Sequence, residues 1–229
     1  MATVRLPGGP TLNYQEWGRP DGAVVLLLHG LTSSSQSWRN VAPVLGQHFR
    51  VVAPDARGHG GSEWTHDYSF ELMRDDVARF MEQVGILAAI VAGHSMGAVT
   101  AYDLAATRPE LIRLLVLEEM PPPDPAMPPK PIPRRPDPGA SYDWKALIAV
   151  HRWRNAPPPD WWERATEIQA RTLVLGAAHS DLRQDRMEEL SRRIPHATFA
   201  SMNCNHGGHE ERPSEFLIPV EPFISWFAK

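Results

Sequence analysis

The sequence predicts an α/β chain built on a mostly parallel sheet with helices on both faces. Three observations carry this expectation. Short apolar runs, such as the continuous AVVLLL at residues 23–28 and LIRLLVL at 111–117 with its single arginine, have strand length but lack the polar alternation of a half-exposed sheet. Segments with apolar residues three and four apart lie between such runs, so strand and helix patterns alternate along the chain. At residues 90–100, IVAGHSMGAVT, an apolar run meets an Ala-rich stretch through Gly93, Ser95 and Gly97, the spacing of a sharp strand-to-helix turn.

Taken in order, residues 3–6 and 12–17 are short alternating stretches split by PGGP, which predicts an opening hairpin. Residues 23–28 form a strand covered on both faces and end at His29-Gly30; serines at 33–37 then cap a helix over 38–45. The next strand, 50–53, runs into PDARGHG, whose proline and glycines exclude regular structure. Residues 68–84 place Phe70, Met73, Val77, Phe80, Met81 and Val84 on one helical stripe. Residues 89–92 enter the serine turn, 96–107 leave it as a helix, and 111–117 return as a strand.

The composition then changes. Between residues 121 and 138 ten of eighteen residues are proline, which rules out a helix interior or a central strand. Residues 120–170 are therefore read as a small Pro-rich lid over the strand ends, with short helices at 143–152 and 161–168; residues 1–119 and 171–229 form the core. Alternation resumes with a strand at 172–175, a helix at 182–193, a strand at 197–200, and a closing helix at 213–227 opened by Pro213.

Composition limits the function classes. A net charge of −4 without long basic runs argues against nucleic acid as a partner. The single cysteine, Cys204, excludes an intrachain disulfide and a cysteine-only metal site. Neither a secretory pattern nor an apolar run long enough for a bilayer is visible, so a cytoplasmic protein without a membrane partner is the expectation. HGGH places two imidazoles three apart in a glycine loop, unlike the helical HExxH of zinc hydrolases, so neither metal nor cofactor is expected. The oligomeric state stays open.

Open parallel sheets bind ligands beyond the carboxyl ends of their strands. Ser95 lies at such an end, as do His29-Gly30-Leu31, Asp55, Glu118-Glu119, Asp181 and His206. Ser95 is the candidate nucleophile, and a serine hydroxyl needs a base. His206, between the last strand and the final helix, has glycines around it that leave its ring room to reach the serine turn; His209, beside Glu210 and Glu211, reads as a surface or lid-facing histidine. His29 reads as a support of its own loop. The carboxylate that orients the base has two candidates. Asp181 lies in the loop after the 172–175 strand, yet with Gln184 it also spells a capping box for the following helix. Glu119 ends the 111–117 strand, where no helix starts that would want an acid; strand alternation sends Glu118 to the opposite side. The main-chain N–H groups of Leu31 and Met96 are the candidate oxyanion donors. Trp144, Trp153, Trp161 and Met120 are candidates to line an apolar or aromatic substrate pocket, with core packing as the competing use.

With these parts together the chain resembles the α/β-hydrolase fold family along nearly its whole length. HGLTSS (29–34) matches the oxyanion loop, DARGHGGS (55–62) the loop after the fourth strand, GHSMG (93–97) the nucleophile elbow, and NHGGHEERPSEF (205–216) the histidine segment. The resemblance implies a cofactor-independent serine hydrolase acting on a small ester or lactone. In most members the acid follows the seventh strand, which points to Asp181. VLEEMP (116–121) is instead similar to the zearalenone lactonase branch, where a glutamate after the sixth strand takes that role, and this points to Glu119. The lid is shorter and richer in proline than in most members. Carbon–carbon bond hydrolysis, elimination or haloperoxidase-like perhydrolysis on the same site are the alternatives within enzymes, and a ligand-binding receptor of this fold is the alternative outside them.

Overall fold

The structure is a computed structural model that describes residues 1–134 and 138–227. An eight-stranded sheet runs through it in the order β1-β2-β4-β3-β5-β6-β7-β8. The strands are β1 (Ala2–Arg5), β2 (Thr11–Gly18), β3 (Val24–Leu28), β4 (Arg50–Pro54), β5 (Ala89–His94), β6 (Ile112–Glu118), β7 (Arg171–Ala177) and β8 (Ala197–Met202). β2 runs antiparallel to both β1 and β4, and the remaining pairs are parallel. Every apolar run read as a strand is one, and the opening hairpin is present.

The helices are α1 (Ala42–Leu45), α2 (Phe70–Gln83), α3 (Met96–Thr107), α4 (Trp144–Asn155), α5 (Gln184–Arg193), α6 (Gly208–Glu211) and α7 (Pro213–Ile224). Because side chains alternate along a strand, each covered strand feeds two cores. Leu26 and Leu28 of β3 share one core with Phe80 of α2, Val99 of α3 and Leu190 of α5. Val25 and Leu27 share the other with Trp38, Leu45 and Phe216 of α7. The stripe expected on α2 is buried from Phe70 to Met81, and Ser69 caps the helix by accepting from Leu72 N at 3.2 Å.

Four helices differ from the sequence expectation. The segment at 38–45 is a 3₁₀ turn (Ser35–Asn40) followed by α1, because Ser34 draws the chain into a tight turn and Pro43 supplies no N–H. Only Glu163–Glu167 of residues 161–168 is helical, as a 3₁₀ turn; the Trp161 carbonyl is taken by the Tyr102 hydroxyl at 2.6 Å. The helix expected from 182 starts at Gln184. The closing helix carries Pro219 and Pro222 in its interior and gives way to a 3₁₀ turn after Ile224.

Residues 119–170 leave the sheet between β6 and β7. Their proline-rich part contains neither helix nor strand over 121–134, and 135–137 lie outside the described residues. The excursion is pinned near the end of β4: Gly60 N donates to Ser141 O at 2.9 Å, Asp143 N to Gly58 O at 2.7 Å, and Tyr68 Oη to Asp143 Oδ2 at 2.8 Å. Among the described residues no helix is long and apolar enough to cross a membrane.

Candidate active site

One residue, Ser95, separates β5 from α3, and it takes φ 50° and ψ −109°. A side chain rarely adopts such a conformation unless its surroundings force it. The forcing groups are identifiable. Ser95 N donates to Glu118 O at 3.0 Å, and Ser95 O accepts from Val99 N at 3.1 Å. A Cβ on Gly93 would lie 2.3 Å from Gly97 O, and one on Gly97 would lie 2.2 Å from Leu28 O, so only glycine lets β3, β5 and α3 meet this closely. A Cβ on Gly30 would fall 2.6 Å from His94 Nδ1 and 3.5 Å from Ser95 Cβ, which places the 29–32 loop against the turn.

Among the described residues, the N–H groups of Leu31 and Met96 donate to no protein acceptor. Met96 is the first residue of α3, where a main-chain N–H has no partner inside the helix. The loop before it is held by His29. His29 Nε2 accepts from Ala56 N at 2.9 Å, so the ring proton sits on Nδ1 and is donated to Gly30 O at 2.7 Å. Burial lowers the pKa of His29 and keeps it neutral. It braces the loop, as expected.

On the other side of the turn, His206 Nδ1 lies 3.0 Å from Glu119 Oε2. Glu119 is fully buried, and its second oxygen accepts from Ala177 N at 2.8 Å and from Gln184 Nε2 at 3.1 Å. Its own N–H donates to Leu175 O at 2.8 Å, and its φ of 47° turns the carboxylate back from the end of β6. The carbonyl of His206 accepts from His94 Nε2 at 2.9 Å, and the two rings lie 4.7 Å apart. The ring of His206 is thus beside the residue preceding Ser95, with Nε2 facing no carboxylate. Among the described residues no hydrogen bond joins the Ser95 hydroxyl to His206. Burial pushes His94 down to about 3, overriding the opposing charge of Glu118, so His94 is a neutral donor.

The structure separates the two acid candidates. Asp181 is exposed and makes no hydrogen bond or ion pair with His206, whereas Glu119 contacts it. The capping box expected for Asp181 does not form. Arg183 occupies the N-cap without a side-chain bond, and Ser180 Oγ accepts from Leu182 N at 3.1 Å. Gln184, the other half of that expected box, gives its amide to Glu119 and to Leu182 O. Gln184 is the site residue that sequence reasoning missed, because a glutamine three residues after an aspartate fits a cap equally well.

His209 also requires correction. It is buried rather than surface- or lid-facing, since the short α6 turns it inward onto Trp38, ring to ring at 3.9 Å. Glu118 points to the opposite side from Glu119, as alternation requires, and meets it there. Glu118 Oε1 accepts from His209 N at 2.9 Å, and Oε2 lies 2.7 Å from His209 Nδ1, a close contact without hydrogen-bond alignment. Burial alone would raise the Glu118 pKa, but the adjacent His209 holds it lowered. HGGH therefore supplies two separate histidine–glutamate pairs.

The candidate pocket residues divide. Met120 and Trp161 are buried core, Trp161 stacked on Tyr102 at 4.6 Å, because the excursion needs an apolar anchor on α3. Trp144 opens α4 half-buried and lines neither cavity of the excursion. Trp153 lines a cavity of about 450 Å³ there, together with Trp162 and a series of prolines.

A family model described as the alpha/beta hydrolase fold matches residues 23–151. The chain belongs to the α/β-hydrolase fold family. The matched segment holds Ser95, Leu31, Met96 and Glu119, while His206 lies beyond it. This α/β-hydrolase chain is 37% identical over 119 residues to the AB hydrolase superfamily protein YfhM of Bacillus subtilis, an alignment covering 50% of the chain and 42% of that protein. The chain thus spans less than half the length of that relative. It is similar in structure to the enol-lactonase from Burkholderia xenovorans LB400, with a TM-score of 0.85, 21% identity, and coverage of 98% of this chain and 100% of the other. It is likewise similar to a thermophilic esterase from Thermogutta terrifontis, with a TM-score of 0.85, 22% identity, and full coverage of both chains. At these identities the likeness is one of fold.

Proposed function

We propose that this α/β-hydrolase cleaves carboxylic esters or lactones through a covalent serine intermediate, without a cofactor. The observation that carries the reading is a strained Ser95 beside a histidine whose Nδ1 sits 3.0 Å from a buried glutamate. An esterase and an enol-lactonase of the same fold are consistent with it.

In this mechanism Ser95 Oγ attacks the carbonyl carbon, and Nε2 of His206 takes its proton. Glu119 holds the Nδ1–H tautomer and stabilises the imidazolium that forms. The free N–H groups of Leu31 and Met96 receive the developing oxyanion, a role typically worth about 3 kcal/mol per donor. His206 returns its proton to the leaving alcohol, and a water that it then activates releases the acid from the acyl-enzyme. The Ser95 hydroxyl and His206 align when substrate enters, as catalytic hydrogen bonds often tighten only in the complex. Asp181 has no part in it.

The test is Ser95→Ala assayed on p-nitrophenyl butyrate, with circular dichroism to confirm the fold. Turnover is expected to fall by at least about 10³-fold. Turnover comparable to the parent would overturn the assignment.

A further inference from the structure

The excursion cavity has walls of Trp153, Trp162 and proline rings, and Arg154 lies among them. The surroundings of Arg154 are unusual within this chain. The other partly or fully buried arginines, Arg50, Arg57, Arg74, Arg79, Arg164 and Arg186, each face a carboxylate within 4 Å. Among the described residues Arg154 has none, nor any hydrogen bond, and burial alone lowers its pKa. A guanidinium partly removed from water without a counter-charge is costly to keep, so its position calls for a reason.

The cavity around it is firmly built. Arg186 and Arg193 lie over the Trp162 ring, at 4.8 and 4.9 Å. Trp153 packs against Phe70 with ring centres 4.7 Å apart. Asn155 closes the rim by bridging the main chain of Lys130, at 2.7 Å to its N and 2.9 Å to its O. Among the described residues the one carboxylate in the wall, Asp124, is committed to Arg183 at 3.2 Å, which leaves Lys130 and Arg154 as the wall's charges without an ion-pair partner. A smaller void of about 20 Å³ shares Arg154 and Asp124 with the cavity and continues it to Leu182 and Arg183. The next residue, Gln184, donates to Glu119, and Pro121, two residues beyond Glu119, lines both voids.

We propose that this cavity binds an organic carboxylate with an apolar body, its anion on Arg154 and its body between Trp153 and Trp162, and that esters or lactones bearing such a group are the substrates. The second half rests on the hydrolase reading above. A guanidinium fork matches a carboxylate in shape as well as charge, and aromatic and proline walls suit a hydrocarbon or aryl body. Neutral esters would leave Arg154 as it stands.

Calorimetric titration of the intact chain with 4-phenylbutyrate and with 4-phenylbutan-1-ol tests the site without any turnover. The acid should bind at least tenfold more tightly than the alcohol. Arg154→Met should abolish that preference, and Arg154→Lys should retain part of it. Equal binding of the two probes, or a preference that survives Arg154→Met, would overturn the site. Kinetics on p-nitrophenyl hemiglutarate and p-nitrophenyl butyrate test the substrate class. Arg154→Met should raise KM for the anionic ester about tenfold with kcat retained and leave the neutral ester unchanged; equal effects on both would overturn it. If neither ester is turned over while the calorimetric preference stands, the hydrolase reading fails and the anion site remains. If both are turned over and Arg154 affects neither probe nor ester, the reverse holds.

Discussion

Among the described residues, three besides glycine carry a positive φ: Thr32 at 62°, Ser95 at 50° and Glu119 at 47°. Each such backbone costs on the order of 1–3 kcal/mol and survives only where its surroundings over-determine it. One lies in the loop before the first helical turn, one at the serine and one at the acid, so the strain is gathered where three segments meet. For Glu119 the strained turn delivers one carboxylate oxygen to His206 and the other to Ala177 N and Gln184. Glu119→Gln should therefore lower kcat on p-nitrophenyl butyrate by about 10³–10⁴-fold, since an amide cannot stabilise the imidazolium. Asp181→Asn should leave kcat within about twofold, having no contact to lose. Gln184→Leu removes one of two supports of Glu119 and should cost roughly tenfold, about the worth of one hydrogen bond to a charged group. The serine and the histidine are legible in the sequence because glycine spacing and chain order constrain them. The choice of acid is not, because it depends on a left-handed residue after β6 that no periodicity reveals.

At the scale of elements, the β5–Ser95–α3 unit depends on glycines at two crossing points. Gly97→Ala would drive a Cβ to 2.2 Å from a main-chain oxygen of β3, where no side chain can give way. The expected result is a loss of about 1–3 kcal/mol of stability, seen as a lower melting temperature, together with lost activity as the turn shifts. The central strands are legible from their apolar runs because both faces of the sheet are covered there, and α2 and α3 from periodicity and flanking residues. Helix ends decided by tertiary contacts are not. α5 starts late because Gln184 is used by Glu119, and the helix expected after Trp161 is cut short where that carbonyl binds Tyr102. α6 is too short to leave a periodic trace, yet it decides that His209 faces inward onto Glu118 rather than outward to solvent.

For the whole molecule, the buried imidazoles set how the fold responds to acid. His59 is fully buried, and its pKa is driven from 6.5 down to about 3 by burial and the neighbouring His29. Its Nδ1 faces Arg57 O at 3.0 Å while Nε2 has no partner, so protonation would bury an unpaired N–H. His94 is held down to about 3 as well, and His29 is lowered. With the folded value below the unfolded one, the unfolded chain binds more protons between them, so stability rises with pH across that window and is lost as pH falls below about 6.5. Asp55 and Glu118, lowered despite the opposing effect of burial, extend the loss to more acid pH; Asp76 and Asp103, raised by burial, oppose it there. The loss that sets in just below pH 6.5 comes from the histidines, whose unfolded value lies there. For His59 alone the cost of reaching pH 5 is on the order of 2 kcal/mol. Thermal melts should therefore show a falling midpoint from pH 7 to pH 5, and His59→Asn, which can keep a donor toward Arg57 O without a charge to gain, should reduce that fall. A midpoint constant over this range, or an equal fall in the variant, would refute the account.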